Sequence, residues 1–277
     1  MQITSLQNPH IKNCVRLHTR RERDRQRKML IEGYRAILRA LQNGYPIDAL
    51  YYCPALFFGD NEVALLALVA EAGVPLFAVG EGPFRKMTAR PRPDGMLAIG
   101  PQRCRPLRDY SPGQAEFLLV AEAIEKPANL GSMIRAADGA GIDALIVCAP
   151  RTDVFHPDVV RASVGTFFTL PLLAAEPKET VQWCKAHGIV TVAATPQAET
   201  LYTDVDLRGP VAIVVGNEQV GLSDTWLARA DRHVKLPMFG QIDSLNVAVA
   251  AALLLYEVVR QREGQTARVR VGALIAD

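Results

Sequence analysis

From Glu116 onward, the sequence alternates between short segments that are continuously apolar and segments with the periodicity of a helix. The apolar segments are rich in β-branched residues, as in "FLLVAEAI", "DALIVCA", "IVTVAAT" and "VAIVVGN". Strands that are apolar along their whole length and alternate with helices are typical of a parallel sheet covered on both faces. The pattern therefore predicts a doubly wound α/β domain, in which "FFTLPLL" and "HVKLP" are further strands and the apolar run from Leu245 is a long helix.

The preceding part of the chain predicts a second, smaller α/β unit. A basic helix comes first, "KMLIEGYRAILRALQNG" has the pattern of strand, turn and helix, and "IDALYYC" and "PLFAVG" are strands on either side of an apolar helix. A chain of 277 residues is long enough for two domains. We therefore divide it into an N-terminal domain (1–100), a linker rich in proline and arginine (101–115), a larger domain (116–265) and a C-terminal tail or edge strand (266–277).

Positive charge is concentrated near the N-terminus. The net charge is only +2, but the segment from Arg16 to Lys28 carries seven basic residues against two acidic ones. One interpretation is a solvated helix laced with ion pairs. The other is a patch that faces nucleic-acid phosphates, in which Arg20, Arg21 and Arg23 would bind RNA.

Several classes of protein are disfavoured by composition. The five cysteines are odd in number and widely spaced, which predicts reduced thiols rather than a disulfide framework or a zinc site. The five histidines show no ligand spacing, so we expect no metal. The N-terminus lacks a signal-peptide core, and the longest apolar run is too short to span a bilayer, which predicts a cytoplasmic protein without a membrane partner.

The first segment of chemical interest, "KPANLGSMIRAADGAG", follows an apolar strand of the larger domain. Ligands of such sheets gather at the carboxyl ends of the strands. Asn129 is placed as a helix N-cap, and Arg135 falls off the apolar stripe, on the side of Gly131 and Asp138. Either Arg135 pairs with Asp138 as an ordinary surface residue, or Gly131 clears space while Asn129 and Arg135 face an anionic ligand.

Two later segments have the same placement after a strand. In "VVGNEQVGLSD" the strand ends in Gly-Asn-Glu, and Glu218 exceeds what a simple turn requires. In "KLPMFGQIDSLNV" a loop leads to an apolar helix that is typical of a core or a subunit interface, with Ser244 as its possible N-cap. Asn246 would then lie in the first turn, where asparagine is a poor helix former, so its presence indicates a function.

None of these segments matches a dinucleotide loop, a Walker loop or a nucleophile elbow. Together they resemble the three signature motifs of the SpoU (TrmH-like) class of SPOUT RNA methyltransferases. The matching residues are Asn129, Gly131, Arg135 and Ala137 in the first motif, Gly216, Asn217, Glu218 and Gly221 in the second, and Leu236, Pro237, Ser244, Leu245, Asn246 and Ala248 in the third. The early segments "SLQNPHIK" and "LIEGYRAILRAL" resemble the ribosomal-protein-like RNA-binding domain that often precedes this catalytic domain.

The resemblance implies transfer of a methyl group from S-adenosylmethionine to a ribose 2′-hydroxyl in ribosomal or transfer RNA. It also implies a C-terminal trefoil knot, an exception to the near-absence of knots in proteins, and a homodimer. The residues expected to hold the cofactor are Ala194, Thr195, Val215, Gly216, Asn217, Glu218, Leu236, Met238, Ser244 and Leu245.

The resemblance also assigns roles to single residues. Arg135 would bind the phosphate beside the ribose and is the residue most often proposed to assist deprotonation, although arginine does not readily lose a proton. Asn129, Glu218, Ser244 and Asn246 would orient the hydroxyl, the arginine and the cofactor, and Arg161 would contact RNA.

The N-terminal domain favours ribosomal RNA as the substrate. Three alternatives stay open: a transfer-RNA methyltransferase, a catalytically silent RNA-binding or ribosome-assembly factor on the same scaffold, and a nucleotide-binding hydrolase, for which no phosphate loop or nucleophile is found.

Overall fold

The computed structural model describes residues 2–263, and of Glu263 only the backbone. The predicted tail or edge strand at 266–277 lies outside the described residues. Two sheets organise the chain. The smaller one and its helices comprise α1 (Pro9–Arg16), α2 (Arg20–Gln26), β1 (Lys28–Glu32), α3 (Tyr34–Gln42), β2 (Ala49–Tyr52), α4 (Asn61–Glu71), β3 (Leu76–Ala78), α5 (Glu81–Met87) and β4 (Met96–Pro101).

The larger sheet contains seven strands, all paired in parallel, in the order β11-β9-β10-β6-β7-β8-β5. Its elements are β5 (Arg105–Pro106), β6 (Phe117–Glu122), α6 (Pro127–Ala140), β7 (Ala144–Cys148), α7 (Pro157–Ala162), β8 (Leu172–Ala175), α8 (Pro177–Ala186), β9 (Val190–Ala194), β10 (Val211–Val215), α9 (Asp224–Arg229), β11 (Arg232–Val234) and α10 (Val247–Glu263). The predicted parallel α/β domain with a smaller α/β unit ahead of it is confirmed.

Helices cover both faces of the large sheet because its strands are apolar on both sides. Along β6, Leu119 packs in the cluster that contains α6 and α10, whereas Leu118 packs in the cluster that contains Cys184 of α8 and Trp226 of α9. Successive side chains of a strand point to opposite faces, so a continuously apolar strand requires both layers. All five residues of β10 are buried for this reason.

Two local predictions differ from the structure. Residues 105–106 of the predicted linker form β5, which pairs in parallel with β8 at the edge of the large sheet. In "FFTLPLL" the first residues belong to a 3-10 turn at Thr166–Phe168, and the strand begins only at Leu172. Both features depend on neighbouring elements, since a two-residue strand carries no periodicity and aromatic residues suit strands and buried turns alike.

The two sheets share one hydrophobic cluster. It joins Met29 and Ile31 of β1 to Leu119 of β6 and Ile134 of α6. The backbone also approaches closely here: a Cβ on Gly165 would lie 2.9 Å from Ala36 Cα. The N-terminal unit is therefore packed directly on the larger one rather than only tethered to it.

No helix within residues 2–263 combines the length and the apolar character needed to cross a bilayer. The five cysteines are free thiols, and four of them are buried.

Candidate active site

A cavity of about 580 Å³ lies where β9, β10 and β11 end. The carboxyl ends of parallel strands meet at one edge of a sheet, which is why three segments far apart in sequence converge there. All ten residues expected to hold the cofactor line this cavity: Ala194, Thr195, Val215, Gly216, Asn217, Glu218, Leu236, Met238, Ser244 and Leu245. Asn129 and Asn246 line it as well.

The loop after β10 is shaped by two glycines and an asparagine. A Cβ on Gly216 would lie 2.5 Å from the carbonyl group of Gly221, so only glycine permits this close approach. Gly221 has a left-handed φ of 72°. The Asn217 side chain accepts hydrogen bonds from the N–H groups of Gln219 and Val220 at 2.8 and 3.0 Å. These contacts within the loop fix its shape at the edge of the cavity.

Glu218 ties this loop to the start of α6. Its carboxylate accepts hydrogen bonds from the Glu125 N–H (3.0 Å), the Lys126 N–H (3.2 Å) and Asn129 Nδ2 (2.8 Å). Partial burial opposes ionisation, but the Glu125 and Asn129 hydrogen bonds outweigh it and hold the pKa of Glu218 below its ordinary value. Glu218 is therefore an ionised anchor whose acceptor sites are already engaged, which explains why a carboxylate stands where a simple turn does not require one.

The three motifs are connected by a chain of hydrogen bonds. Asn246 Nδ2 donates to Asn129 Oδ1 at 3.0 Å, and Asn129 in turn donates to Glu218. Asn129 is buried at 9% exposure, so both ends of its amide need partners and have them. The predicted convergence of Asn129, Glu218 and Asn246 is thus seen in the described structure.

Two predicted helix caps are wrong. The helix α6 begins at Pro127, so Asn129 lies inside its first turn, because Pro at this position starts the helix with its fixed φ. The helix α10 begins at Val247, and Asn246 Oδ1 accepts from the Ala248 N–H at 3.0 Å. Asn246 is therefore the capping residue and Ser244 is not. Ser244 is exposed and lines the cavity.

Gly131 serves helix packing and not ligand access. A Cβ there would lie 2.5 Å from Val159 O and 2.6 Å from Ala162 Cβ, both of α7. Arg135 is exposed on α6 and does not line the 580 Å³ cavity of its own chain. Within residues 2–263 no ion pair joins it to Asp138, which instead accepts a hydrogen bond from Thr169.

A second, shallower hollow of about 400 Å³ lies between α6 and α10. Ser132 and Ala136, which flank Arg135 in sequence, form one wall, and Leu253 and Tyr256 form the other. These two apolar side chains of α10 are 42% and 51% exposed. Asn246 borders both this hollow and the larger cavity, so the two are adjacent.

The predicted RNA-binding arginines have different environments. Arg20 and Arg21 are exposed on α2, and Arg20 forms a surface ion pair with Asp24 at 3.4 Å. Arg161 is exposed and paired with Asp158 at 2.8 Å. Arg23, in contrast, is 1% exposed.

The prediction that Arg23 binds RNA is wrong, because its guanidinium makes all its hydrogen bonds inside the protein. Its Nε and Nη2 donate to Asp153 Oδ2 at 2.9 and 2.5 Å, and its Nη1 donates to the Leu17 and His18 carbonyls, each at 2.8 Å. A phosphate could not reach it without breaking these bonds.

Sequence reasoning missed several residues of the cavity. Pro196 and Gln197 follow β9, and Lys235 follows β11, so the rule about strand ends would have found them if it had been extended by two residues. Glu122 at the end of β6 is 2% exposed and accepts hydrogen bonds from the N–H and Oγ of Ser223 at 2.8 and 2.7 Å. It anchors the far end of the loop after β10, and no sequence pattern indicated this partner.

Among the described residues, no group of three or more His, Cys, Asp or Glu side chains is arranged to hold a metal ion. The expectation that the protein uses no metal stays a prediction.

Comparison with known proteins shows to which family the chain belongs. Residues 116–256, which carry the cavity and all three motifs, match the SpoU rRNA Methylase family. The chain belongs to that family. Residues 8–98 match the MRM3-like substrate binding domain, in the position where the sequence resembles an RNA-binding domain.

Individual members of the SpoU family resemble the chain over nearly its full length. A relative from Streptomyces viridochromogenes, named 23S rRNA (uridine(2479)-2'-O)-methyltransferase, is 33% identical over 91% of this chain and 89% of its own. A solved RNA 2'-O ribose methyltransferase is 44% identical, with a TM-score of 0.84 and coverage of 95% and 100%. An AdoMet-bound rRNA methyltransferase from Sinorhizobium meliloti is 31% identical, with a TM-score of 0.85 and coverage of 94% and 97%.

Proposed function

We propose that this protein transfers a methyl group from S-adenosylmethionine to the 2′-hydroxyl of a ribose in ribosomal RNA. The observation that carries the proposal is the convergence of three separate motifs on one cavity, with Asn129, Glu218 and Asn246 joined by hydrogen bonds at its edge. Family membership and the names of the relatives, which act on 23S ribosomal RNA, favour ribosomal over transfer RNA.

The cavity suits S-adenosylmethionine in size and lining. Its volume of about 580 Å³ is within the range of small-molecule sites. Val215, Leu236 and Leu245 supply apolar contacts, and the loops that follow the strands supply backbone groups that can hydrogen-bond a nucleoside. When bound, S-adenosylmethionine supplies an electrophilic methyl group on a positively charged sulfur.

The residues of the chain have positioning tasks in this reaction. Glu218 holds the loop after β10 against α6, and its engaged acceptors and lowered pKa make it an anchor rather than the group that takes the hydroxyl proton. Ser244 faces the cavity from an exposed position and can orient the hydroxyl. Arg135 presents a guanidinium group that can bind the adjacent phosphate bidentately.

We infer that Arg135 acts in the cavity of a second copy of the chain, since it does not line the 580 Å³ cavity of its own chain. It lies beside the hollow between α6 and α10, where Leu253 and Tyr256 leave apolar surface exposed. Pairing of two chains through this face buries that surface and brings Arg135 of each copy toward the cavity of the other, because the hollow adjoins the cavity at Asn246. The proposed active unit is therefore a homodimer.

The remaining expectations belong to the same proposal. The N-terminal unit grips RNA through the exposed Arg20 and Arg21, with Arg161 on the larger domain contributing. The strand order β11-β9-β10-β6, with α10 packed back against α6, supports the trefoil knot. The protein works in the cytoplasm, where ribosomal RNA is found.

The proposal is tested by calorimetry with S-adenosylmethionine and by transfer of labelled methyl to unmodified 23S ribosomal RNA. We expect Arg135→Ala to keep the affinity for the cofactor and to lose about 100-fold or more in rate. Arg208→Ala is the matched control, because Arg208 is an exposed arginine of the same domain whose ion pair within residues 2–263 is with its neighbour Asp206. Sedimentation should show a dimer for both variants.

The other outcomes contradict specific parts of the proposal. Normal methylation by Arg135→Ala would exclude the assigned role of Arg135. RNA binding without any binding of S-adenosylmethionine would identify a catalytically silent RNA-binding factor. Methylation of transfer RNA but not of ribosomal RNA would show that transfer RNA is the substrate.

A further inference from the structure

The loop between β11 and α10 carries an unusually exposed aromatic residue. Phe239 is 95% exposed, although its neighbour Met238 lines the 580 Å³ cavity. Pro237 precedes this pair and Gly240 follows it, so Phe239 lies at the tip of a loop whose base is part of the cavity wall. Nothing within residues 2–263 covers its ring.

A single exposed apolar residue needs no explanation, but several at one rim do. Val220, on the loop after β10, is 76% exposed and lines the cavity. Ile242, on the same loop as Phe239, is 61% exposed. Three of the most exposed large apolar side chains of the described chain therefore come from the two loops that border the cavity.

Two lysines at the cavity can contact the phosphates of a nucleic acid. Lys126 and Lys235 line it, together with the exposed Asp243 and with Glu218, whose carboxylate is engaged by three N–H donors. A cavity that presents ammonium groups beside an exposed aromatic ring combines the two features that hold single-stranded RNA, phosphate contacts and stacking of bases.

We propose that Phe239 is a stacking platform for the nucleobase of the methylated nucleotide, with Val220 and Ile242 as its apolar flank. The inference rests on the proposed function, which places the ribose at the cavity mouth. Because the base is bonded directly to that ribose, a ribose at the mouth brings its base to the rim where Phe239 stands. Stacking on an aromatic face requires the target base to be unpaired, so the substrate is a single-stranded or loop segment.

The position of Phe239 disfavours two other binding partners for its ring, the cofactor and a second copy of the chain. Phe239 does not itself line the cavity, which argues against contact with the cofactor. The apolar face available for a second copy of the chain lies between α6 and α10, and Phe239 is not part of it. The experiment also distinguishes these two partners from a stacked nucleobase.

The test compares Phe239→Ala, Phe239→Trp and the control Val190→Ala on unmodified 23S ribosomal RNA; Val190 is an exposed apolar residue at the start of β9, whereas the cavity lies at the other end of that strand. Loss of one stacked base predicts a KM for RNA raised about tenfold by Phe239→Ala, with little change in kcat. Phe239→Trp should retain a KM near that of the wild type, and Val190→Ala should change it by less than about threefold. The affinity for S-adenosylmethionine and the sedimentation coefficient should not change in any variant.

Fluorescence gives a direct second readout. The wild-type chain has two tryptophans, so the additional emission of Phe239→Trp is obtained by difference. We expect RNA to quench this additional emission, because a stacked base contacts the indole ring, and to leave the wild-type signal nearly constant.

Three results would overturn the inference. They are an unchanged KM for RNA in Phe239→Ala, a weakened affinity for S-adenosylmethionine, which would assign the ring to the cofactor, and a shifted sedimentation coefficient, which would assign it to the partner copy. Failure of the proposed function looks different, because the wild-type protein itself would then neither bind S-adenosylmethionine nor methylate RNA.

Discussion

Replacing Arg23 by methionine separates two roles that the basic N-terminal segment could give this residue. In the structure its guanidinium is 1% exposed and joins α2 to Asp153, 130 residues away, whose side chain is 9% exposed. Methionine matches the length of the arginine stem but leaves the Asp153 carboxylate buried with one charged partner fewer. Two backbone carbonyls, those of Leu17 and His18, also lose their donor.

Removing one partner of a buried ion pair costs about 3–5 kcal/mol, against about 0–1 kcal/mol for an exposed pair. Asp153 Oδ1 still accepts from the Phe155 N–H at 2.9 Å, which places the expected loss near the lower end of that range. A typical domain is stable by about 5–15 kcal/mol, so Arg23→Met should fold but with a much reduced margin. The matched control is Arg20→Met, whose pair with Asp24 has side chains 61% and 52% exposed.

Urea unfolding measures the free energy of both variants, and a second substitution tests the mechanism. Asp153→Asn keeps the oxygen that serves Phe155 and removes the buried charge, so Arg23→Met combined with Asp153→Asn should recover at least half of the lost stability.

Binding of RNA is measured on the same proteins. Charge reversal at Arg20 and Arg21 should weaken binding and reduce its salt dependence, with stability nearly unchanged. A loss of less than about 1 kcal/mol by Arg23→Met, combined with RNA binding weakened as in the surface variants, would show that Arg23 contacts RNA instead.

Two further predictions concern packing and pH. Gly131→Ala should lower the free energy of unfolding by about 1–3 kcal/mol, because the added Cβ would lie 2.5 Å from the backbone of α7. Gly139→Ala on the same helix is the control. It should be neutral or stabilising, since the nearest neighbour of its Cβ is the movable Tyr256 hydroxyl at 3.1 Å. Equal effects in urea unfolding would contradict this explanation. Burial raises the pKa of Glu32 to about 7 from 4.5. Between these two pH values the folded state holds a proton that the unfolded chain releases. The free energy of unfolding should therefore fall by up to about 3 kcal/mol as pH rises from 5 to 8. Glu32→Gln should remove that part of the slope, and a slope identical to that of the wild type would exclude Glu32 as its source.

The location of the candidate site could be predicted because it depends on one regularity. Apolar, β-branched strands that alternate with helices must form a parallel sheet, and in such a sheet every strand ends at the same edge. The ten residues that the family resemblance implies around the cofactor lie at or after the ends of β9, β10 and β11, and all of them line one cavity. Asn129 and Glu218 were found by the same rule, although their mutual hydrogen bond was not.

Other features depended on contacts that no local pattern records. Helical spacing places Arg23 on a charged segment but does not reveal that Asp153 lies opposite it. Asn246 looked out of place inside a helix because the start of that helix was predicted two residues too early, whereas the structure uses Asn246 as the cap of α10.

Strand periodicity and turn chemistry are local properties, so the amino-acid sequence was enough to predict the fold class and the sheet edge where ligands gather, and the family resemblance supplied the motif residues. The buried tie that Arg23 makes between the two units, the contact of Gly131 with α7 and the exposure of Phe239 beside the cavity became visible only in the folded chain. Burial and partnership depend on which distant segment packs against a residue, and that is settled when the two sheets and their helices come together.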